Sequence, residues 1–258
     1  MKIAMFGHKR IPSREGGVEI VVEELASRMV KTGNEVTCFN RNGKGCVSQK
    51  YGKRYNFNGI EVKTVPTIDK KGMAAVTAAF FSSVMAAFGK YDIVHIHAEG
   101  PAFFSWIPKL FHKKIVVTVH GLDWQREKWK GGFGAKFIRK GEENAVKYAD
   151  EIIVLSKNVE QYFKTRYNRI TRFIPNGVNR PTIRKADRIR SVYGLEKNGY
   201  ILFLGRLVPE KGIMYLIEAF SKVNTDLKLV IAGGSSDTDE YEKELRMKAE
   251  KDSRRSEE

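Results

Sequence analysis

The sequence predicts an α/β protein built on doubly wound parallel sheets, and three observations carry that expectation. Lys2–Phe6, a glycine-bearing loop, an apolar-striped helix and Val36–Phe39 follow in the order that starts such a sheet. Short apolar runs that read as strands recur at Ile60–Val65, Asp92–His97, Lys114–Gly121 and Glu151–Leu155. The pattern restarts at Ile201–Leu204, where a strand stops at Gly205 and a helix opens behind Gly212.

Each element has a local reason. After Lys2–Phe6 comes the long turn Gly7–Gly17, then a helix from about Val18 to Thr32. Val21, Val22, Leu25, Met29 and Val30 fall on one face of it, and Gly33 stops it. The glycines of the turn come late, at Gly16 and Gly17, and the second strand ends in Asn40-Arg41. A nicotinamide-binding fold wants Gly-x-Gly-x-x-Gly directly after the first strand and an acid at the end of the second, so a nicotinamide dehydrogenase is not expected. Paired glycines at a helix start still call for close approach to the backbone, by a ligand or by another element. Beyond the glycine- and lysine-rich Asn42–Asn58, Ile60–Val65 alternates as a strand. Met73–Phe88 is apolar almost all round and too short to span a bilayer comfortably, so a buried helix is expected. The alternative is a helix dipping into an anionic lipid surface.

In open parallel sheets, ligands sit at the carboxyl ends of the strands. That rule puts His97, Glu99 and His120 near a cleft, with one of His95 and His97 expected in the core. His120, followed by Gly121, is the better candidate, because a strand-end histidine can hydrogen-bond a substrate hydroxyl or a backbone carbonyl. No His, Cys or carboxylate cluster has metal-ligand spacing. Leu122–Phe133 mixes aromatic and charged residues and carries Gly131-Gly132; it reads as a contact loop or, more soberly, as a helix cap and turn. A helix over about Ala135–Lys147 and the strand Glu151–Leu155 follow, and Ser156 caps the helix Lys157–Arg166. Phe173–Val178 carries domain-ending turn residues, and the basic Thr182–Tyr193 reads as a helical linker.

In the second half, Ile201–Leu204 reads as a buried strand that opens a basic turn bearing Arg206 and Lys211. A strand, a glycine turn and a helix N-terminus favour anions, and two cations on that turn suit a diphosphate. An ordinary turn with solvated charges is the competing reading. The formal charge is +16, and the acidic segment from Ser235 onwards, with nine acids and six bases, is not its source. Such a field favours nucleic acid, anionic lipid or phosphorylated substrates. Zinc spacings, a basic zipper and interleaved strand aromatics are absent, which argues against nucleic acid. Cys38 and Cys46 are too few for a disulfide framework, and with no secretory signal in view a cytoplasmic, reducing compartment is expected.

Four motifs in order, Glu15-Gly16-Gly17-Val18-Glu19, His120-Gly121, Ile174-Pro175-Asn176-Gly177-Val178 and Leu204–Gly212, resemble the retaining glycosyltransferases of family 4. His120–Trp129 is similar to members that build bacterial surface polysaccharides. The resemblance implies a GT-B fold, two Rossmann-like domains facing each other across a cleft. It implies a complete N-terminal acceptor-side domain over 1–178, a linker over 179–198 and a partial nucleotide-sugar-binding domain over 199–258. It implies that Gly205, Arg206 and Lys211 hold the donor diphosphate, that Gly16 and Gly17 form the phosphate and acceptor loop, and that His120 contacts the donor sugar as the catalytic histidine. Asn176 and Gly177 match the hinge.

The activity implied is hexose transfer, with retained configuration, from a nucleotide-diphosphate sugar to a polysaccharide or lipid-linked acceptor. A UDP-sugar comes first among donors, and no cofactor or catalytic metal is expected. The family's acidic motif, two glutamates eight apart, is not found, so a truncated chain or one completed by a partner chain is expected. A cytoplasmic protein touching the inner face of the membrane fits the charge. The alternative is a non-catalytic subunit that binds acceptor and membrane and docks to a separate donor-binding chain.

Overall fold

The structure, a computed structural model, describes residues 1–14, 16–43, 52–70, 72–125, 132–234, 239–249 and 255–257. Its contacts divide it into two units, Met1–Val178 and Asn179–Glu258. Glu15, residues 44–51 of the glycine- and lysine-rich segment, Lys71, residues 126–131 of the aromatic segment and residues 235–238, 250–254 and 258 of the acidic tail lie outside the described residues.

The first unit runs β1 (Lys2–Phe6), α1 (Gly17–Lys31), β2 (Glu35–Arg41), β3 (Arg54–Phe57), β4 (Ile60–Val65), α2 (Met73–Phe88), β5 (Ile93–His97), α3 (Glu99–Ala102) and α4 (Trp106–Leu110). It continues with β6 (Lys114–Val119), a 3-10 turn at Asp123–Gln125, α5 (Phe133–Tyr148), β7 (Glu151–Val154), α6 (Lys157–Tyr167) and β8 (Arg172–Phe173). The sheet order is β3-β4-β2-β1-β5-β6-β7-β8, and every pairing is parallel except β3 with β4. Alternate residues of β1 serve different cores, as a strand's period of two requires. Ile3 and Met5 join Val22 and Ala26 of α1; Ala4 and Phe6 join a cluster that includes Ala78, Ala145 and Phe163. Ser156 caps α6 by accepting from the Val159 amide at 3.3 Å.

Four sequence expectations are corrected in this unit. The helix Met73–Phe88 is not buried all round. It turns Ala78, Ala79, Ser82, Ser83, Ala86 and Ala87 inward and leaves Met73, Phe80, Met85 and Phe88 exposed, because small residues let a helix sit close on its neighbours. Within Asn42–Asn58, Arg54–Phe57 forms β3, joined to β4 through Asn58 and Gly59, both at positive φ. That Asn-Gly pair is a hairpin turn whose twist matches the strands. The stretch after β5, read only for its strand-end residues, holds α3 and α4. Finally, both His95 and His97 are buried, not one of them.

The second unit comprises α7 (Asp187–Tyr193), β9 (Tyr200–Leu204), a 3-10 turn at Pro209–Lys211, α8 (Ile213–Ser221), β10 (Lys228–Ala232), α9 (Asp239–Ala249) and β11 (Arg255–Glu257). Its parallel sheet has the order β11-β10-β9. Ile213, Ile217 and Phe220 of α8 and Leu245 of α9 pack with Leu229, Ile231 and Phe203. Three expectations change here. The helix in Thr182–Tyr193 covers only Asp187–Tyr193, and the tail carries a strand as well as a helix. Ile201–Leu204 is not a buried strand: Leu204 is 77% exposed, and Ile201 and Leu202 are exposed too. The strand lies at the sheet edge, with only its Phe203 side in the core.

Candidate functional site

The sheet of the first unit changes direction at β1, which pairs with β2 on one side and β5 on the other. Crossovers diverge at such a point and open a crevice at the strand ends. Gly7 ends β1 there, at φ +115, and a Cβ on it would stand 2.0 Å from the His97 carbonyl oxygen. Glycine is therefore the residue that lets β1 and β5 approach.

The loop beyond Gly7 is fastened from beneath by buried side chains. Asn40, at the end of β2, accepts from the Ile11 amide at 3.0 Å and lies 3.0 Å from His8 Nε2 through Oδ1. Its amide nitrogen donates to the Ile11 carbonyl at 3.1 Å and to Tyr55 Oη at 3.0 Å. Glu19 accepts from the Lys9 amide at 2.9 Å, and the Arg41 amide donates to Lys9 O at 2.8 Å. These bonds carry the chain to Gly16, which flanks α1 with extended backbone and no side-chain cap. A Cβ on Gly16 would meet Glu19 Oε2 at 2.1 Å, whereas Gly17 is exposed with nothing within 4 Å of that position. An uncapped helix start with its amides toward solvent is suited to an anion. A narrow recess lies between Gly7, His8 and Arg41 and the Ala75, Ala79 and Ser82 side of α2.

The histidines form a chain along the strand ends. His95 lies 2.7 Å from Thr118 Oγ1 and stacks on His97 with ring centroids 4.3 Å apart. His97 Nδ1 lies 3.1 Å from Nε2 of His120, which follows β6 and is half-buried. Burial pushes His8 and His95 from 6.5 down to about 4, and His97 well below its ordinary range. These three buried imidazoles are thus neutral at pH 7. Between His97 and His120 one nitrogen donates and the other accepts, so the tautomers of the two rings are linked.

Glu99 is a site residue whose role the sequence did not reveal. It is fully buried, accepts from the Asp123 amide at 2.8 Å, and its carboxyl is pushed up to about 10 by burial and then by Glu142. Glu142, also fully buried, accepts from Trp124 Nε1 at 3.0 Å, Tyr162 Oη at 2.8 Å and Tyr167 Oη at 2.5 Å. A protonated Glu99 beside this acceptor-rich carboxyl anchors the segment that follows His120. No single position signals it, because Glu99 and Glu142 meet only in the fold.

In the second unit, the turn after β9 is clasped to the end of β10. The Gly205 amide donates to Ala232 O at 3.0 Å and the Leu207 amide to Gly234 O at 3.1 Å. A Cβ on Gly233 would stand 1.8 Å from Gly205 O, so this clasp requires glycine. Buried Leu207 and Val208 anchor the turn, while Arg206 and Lys211 are exposed with no side-chain partner among the described residues. Gly212, at φ +68, leads into α8 without a side-chain cap. Two cations and an open helix N-terminus therefore share one turn.

Asn176 and Gly177 are exposed, outside regular structure and just before the boundary between the units. Among the described residues no group of three or more His, Cys, Asp or Glu could hold a metal ion. Cys38 is buried and free, and Cys46 lies outside the described residues.

Residues 15–180 match the family described as Glycosyltransferase Family 4, and residues 185–253 match Glycosyl transferases group 1. An uncharacterised glycosyltransferase of Methanocaldococcus jannaschii is 28% identical over 264 residues, 95% of this chain and 66% of that protein. An alpha-maltose-1-phosphate synthase of Mycobacterium tuberculosis is 23% identical over 263 residues, 96% of this chain and 64% of that protein. The chain thus spans 66% and 64% of the length of these two relatives. Among solved structures, the sucrose-phosphate synthase of Thermosynechococcus elongatus superposes with a TM-score of 0.77 at 19% identity, over 100% of this chain and 70% of that one. Anabaena HepE in complex with UDP and glucose gives 0.71 at 18% identity, over 100% and 68%. The structural likeness shows the fold, which is the GT-B type. With 15–180 matched to its model, the chain belongs to glycosyltransferase family 4.

Proposed function

We propose that this chain acts in the transfer of a hexose from a nucleotide-diphosphate sugar, a UDP-sugar foremost, to a polysaccharide or lipid-linked acceptor with retained anomeric configuration. The observation that carries this reading is the turn of Arg206 and Lys211, exposed and unpartnered among the described residues beside an uncapped helix start. As the bond from the anomeric carbon to the diphosphate breaks, the electron pair stays on the departing phosphate oxygen. Arg206 and Lys211 stabilise that charge, and Gly205 lets the backbone approach it. The acceptor hydroxyl oxygen bonds to the anomeric carbon, and its proton passes to the leaving phosphate. His120, held by His97, hydrogen-bonds the donor sugar. In this division of labour residues 1–178 take the acceptor, with Gly16 and Gly17 near phosphate, 179–198 link, 199–258 take the donor, and Asn176-Gly177 is the hinge. The chemistry as proposed needs no metal or cofactor, and its place is the cytoplasmic face of the membrane. HepE, solved with UDP and glucose, supports the choice of donor.

A second reading, a non-catalytic acceptor-binding subunit completed by a partner chain, is favoured by β9, an edge strand with Leu202 and Leu204 exposed. Incubation with labelled UDP-, GDP- and ADP-hexoses and lipid or polysaccharide acceptor separates the two. The first reading expects transfer, lost in His120→Ala. No transfer from any donor, with acceptor bound and no nucleotide bound, selects the second.

A further inference from the structure

We propose that the outward face of α2 and α4 is a docking surface for an anionic lipid bilayer. A surface helix of a globular protein keeps polar residues outward. In α2 the exposed apolar side chains are Met73, Phe80, Met85 and Phe88, while Ala78, Ala79, Ser82, Ser83, Ala86 and Ala87 face inward. This apolar surface continues onto α4, which packs on α2 and exposes Leu110 to 67%, with Phe111 exposed just beyond it. The Phe88 and Phe111 rings lie 4.5 Å apart, so the two helices present one apolar ridge.

The charge around that ridge chooses the occupant. Lys90 follows α2 directly and is exposed without a partner among the described residues. Lys113 places its ammonium on the carbonyls of Gly89 and Tyr91, at 2.7 and 3.1 Å, beside the same ridge end, and Lys114 is exposed next to it. The nearby acids are engaged. Asp92 accepts from the Lys2 amide at 2.7 Å, and Asp150 accepts from the Ile115 amide and from Lys109, with the Lys114 ammonium a looser 3.9 Å away and 74% exposed. Exposed aromatics beside lysines, on a chain of charge +16, match a headgroup region with negative charge better than a protein surface of unspecified sign. Among the described residues no helix is long and apolar enough to cross a membrane. This inference does not rest on the transfer reaction.

Cosedimentation of the chain with vesicles of phosphatidylcholine alone, or with about 30% phosphatidylglycerol, tests it. Binding is expected only to the anionic vesicles and weakens as salt rises. Phe88→Ser/Leu110→Ser/Phe111→Ser and, separately, Lys90→Glu/Lys114→Glu should each lower partitioning about tenfold, with circular dichroism unchanged. If the apolar variant fails to fold, the lysine variant decides alone. No binding to anionic vesicles, or binding that neither variant weakens, overturns the proposal. So does a wild-type dimer that ignores vesicles and dissociates in the apolar variant, which would make the face an interface between copies of the chain.

Discussion

Replacing Gly7 by alanine should damage the first unit more than its single added methyl suggests. The new Cβ would start 2.0 Å from the His97 carbonyl oxygen, inside the 3.0 Å that real Cβ atoms keep, so β1 and β5 must separate by roughly 1 Å at their ends. An L-residue at φ +115 adds about 1–2 kcal/mol of backbone strain. Overpacking at a closed contact adds about 1–3 kcal/mol. The sum, about 2–5 kcal/mol, is a large part of a domain's usual stability of about 5–15 kcal/mol. For a unit of this size it lowers the midpoint by about 10 °C. Calorimetric melting of wild type and variant reads the effect on the first unit's transition. Gly17→Ala is the internal control, because its Cβ enters open space at a helical position and should leave stability within about 0.5 kcal/mol or raise it. A Gly7→Ala loss below about 1 kcal/mol would refute the close β1–β5 approach.

Other consequences follow from the buried groups. His8 and His95 titrate near 4 in the folded protein against 6.5 when unfolded, so the unfolded chain binds the extra protons between those values. Stability should therefore fall as pH drops from 6.5 towards 4, by on the order of 3 kcal/mol for each histidine; a melting temperature flat from pH 7 to 5 would contradict their burial as neutral rings. Glu99→Gln should melt near wild type, since an amide keeps both the acceptor for the Asp123 amide and a donor for Glu142. Glu99→Ala strands the Asp123 amide, leaves a buried void and should cost about 2–4 kcal/mol in urea unfolding; equal losses in the two variants would show that Glu99 does not act as a neutral donor. Phe163→Ala, at a fully buried site, should cost about 3–5 kcal/mol, and a loss under 1 kcal/mol would remove it from the core.

Local signals were legible in the sequence. The parallel α/β class, the strand–glycine–helix turn at Gly205–Gly212 and the Ser156 cap each depend on residues a few positions apart, and each is where the chain placed it. The inversion of α2 was harder, because hydropathy treats alanine and phenylalanine alike; only their size pattern says which side faces the sheet. Asn58-Gly59 was a readable hairpin signal, obscured by the polar segment before it. Asn40 could be read as standing where a dinucleotide site has an acid, but not as the fastener of the loop, since its partners lie 29 and 15 positions away. Glu99 and Glu142 share the same difficulty. The tail's charge reads as helix, while β11 exists through pairing with β10.

The central claim is that the Arg206–Lys211 turn holds a donor diphosphate, and isothermal titration of the chain with UDP, GDP and ADP tests it most directly. The account predicts binding of one nucleotide, UDP foremost. It predicts a loss of about tenfold or more in Arg206→Ala and in Lys211→Ala, since each charge-assisted contact is worth about 1.5–3 kcal/mol. Binding with unchanged affinity in both variants, or no binding of any nucleotide, would contradict it.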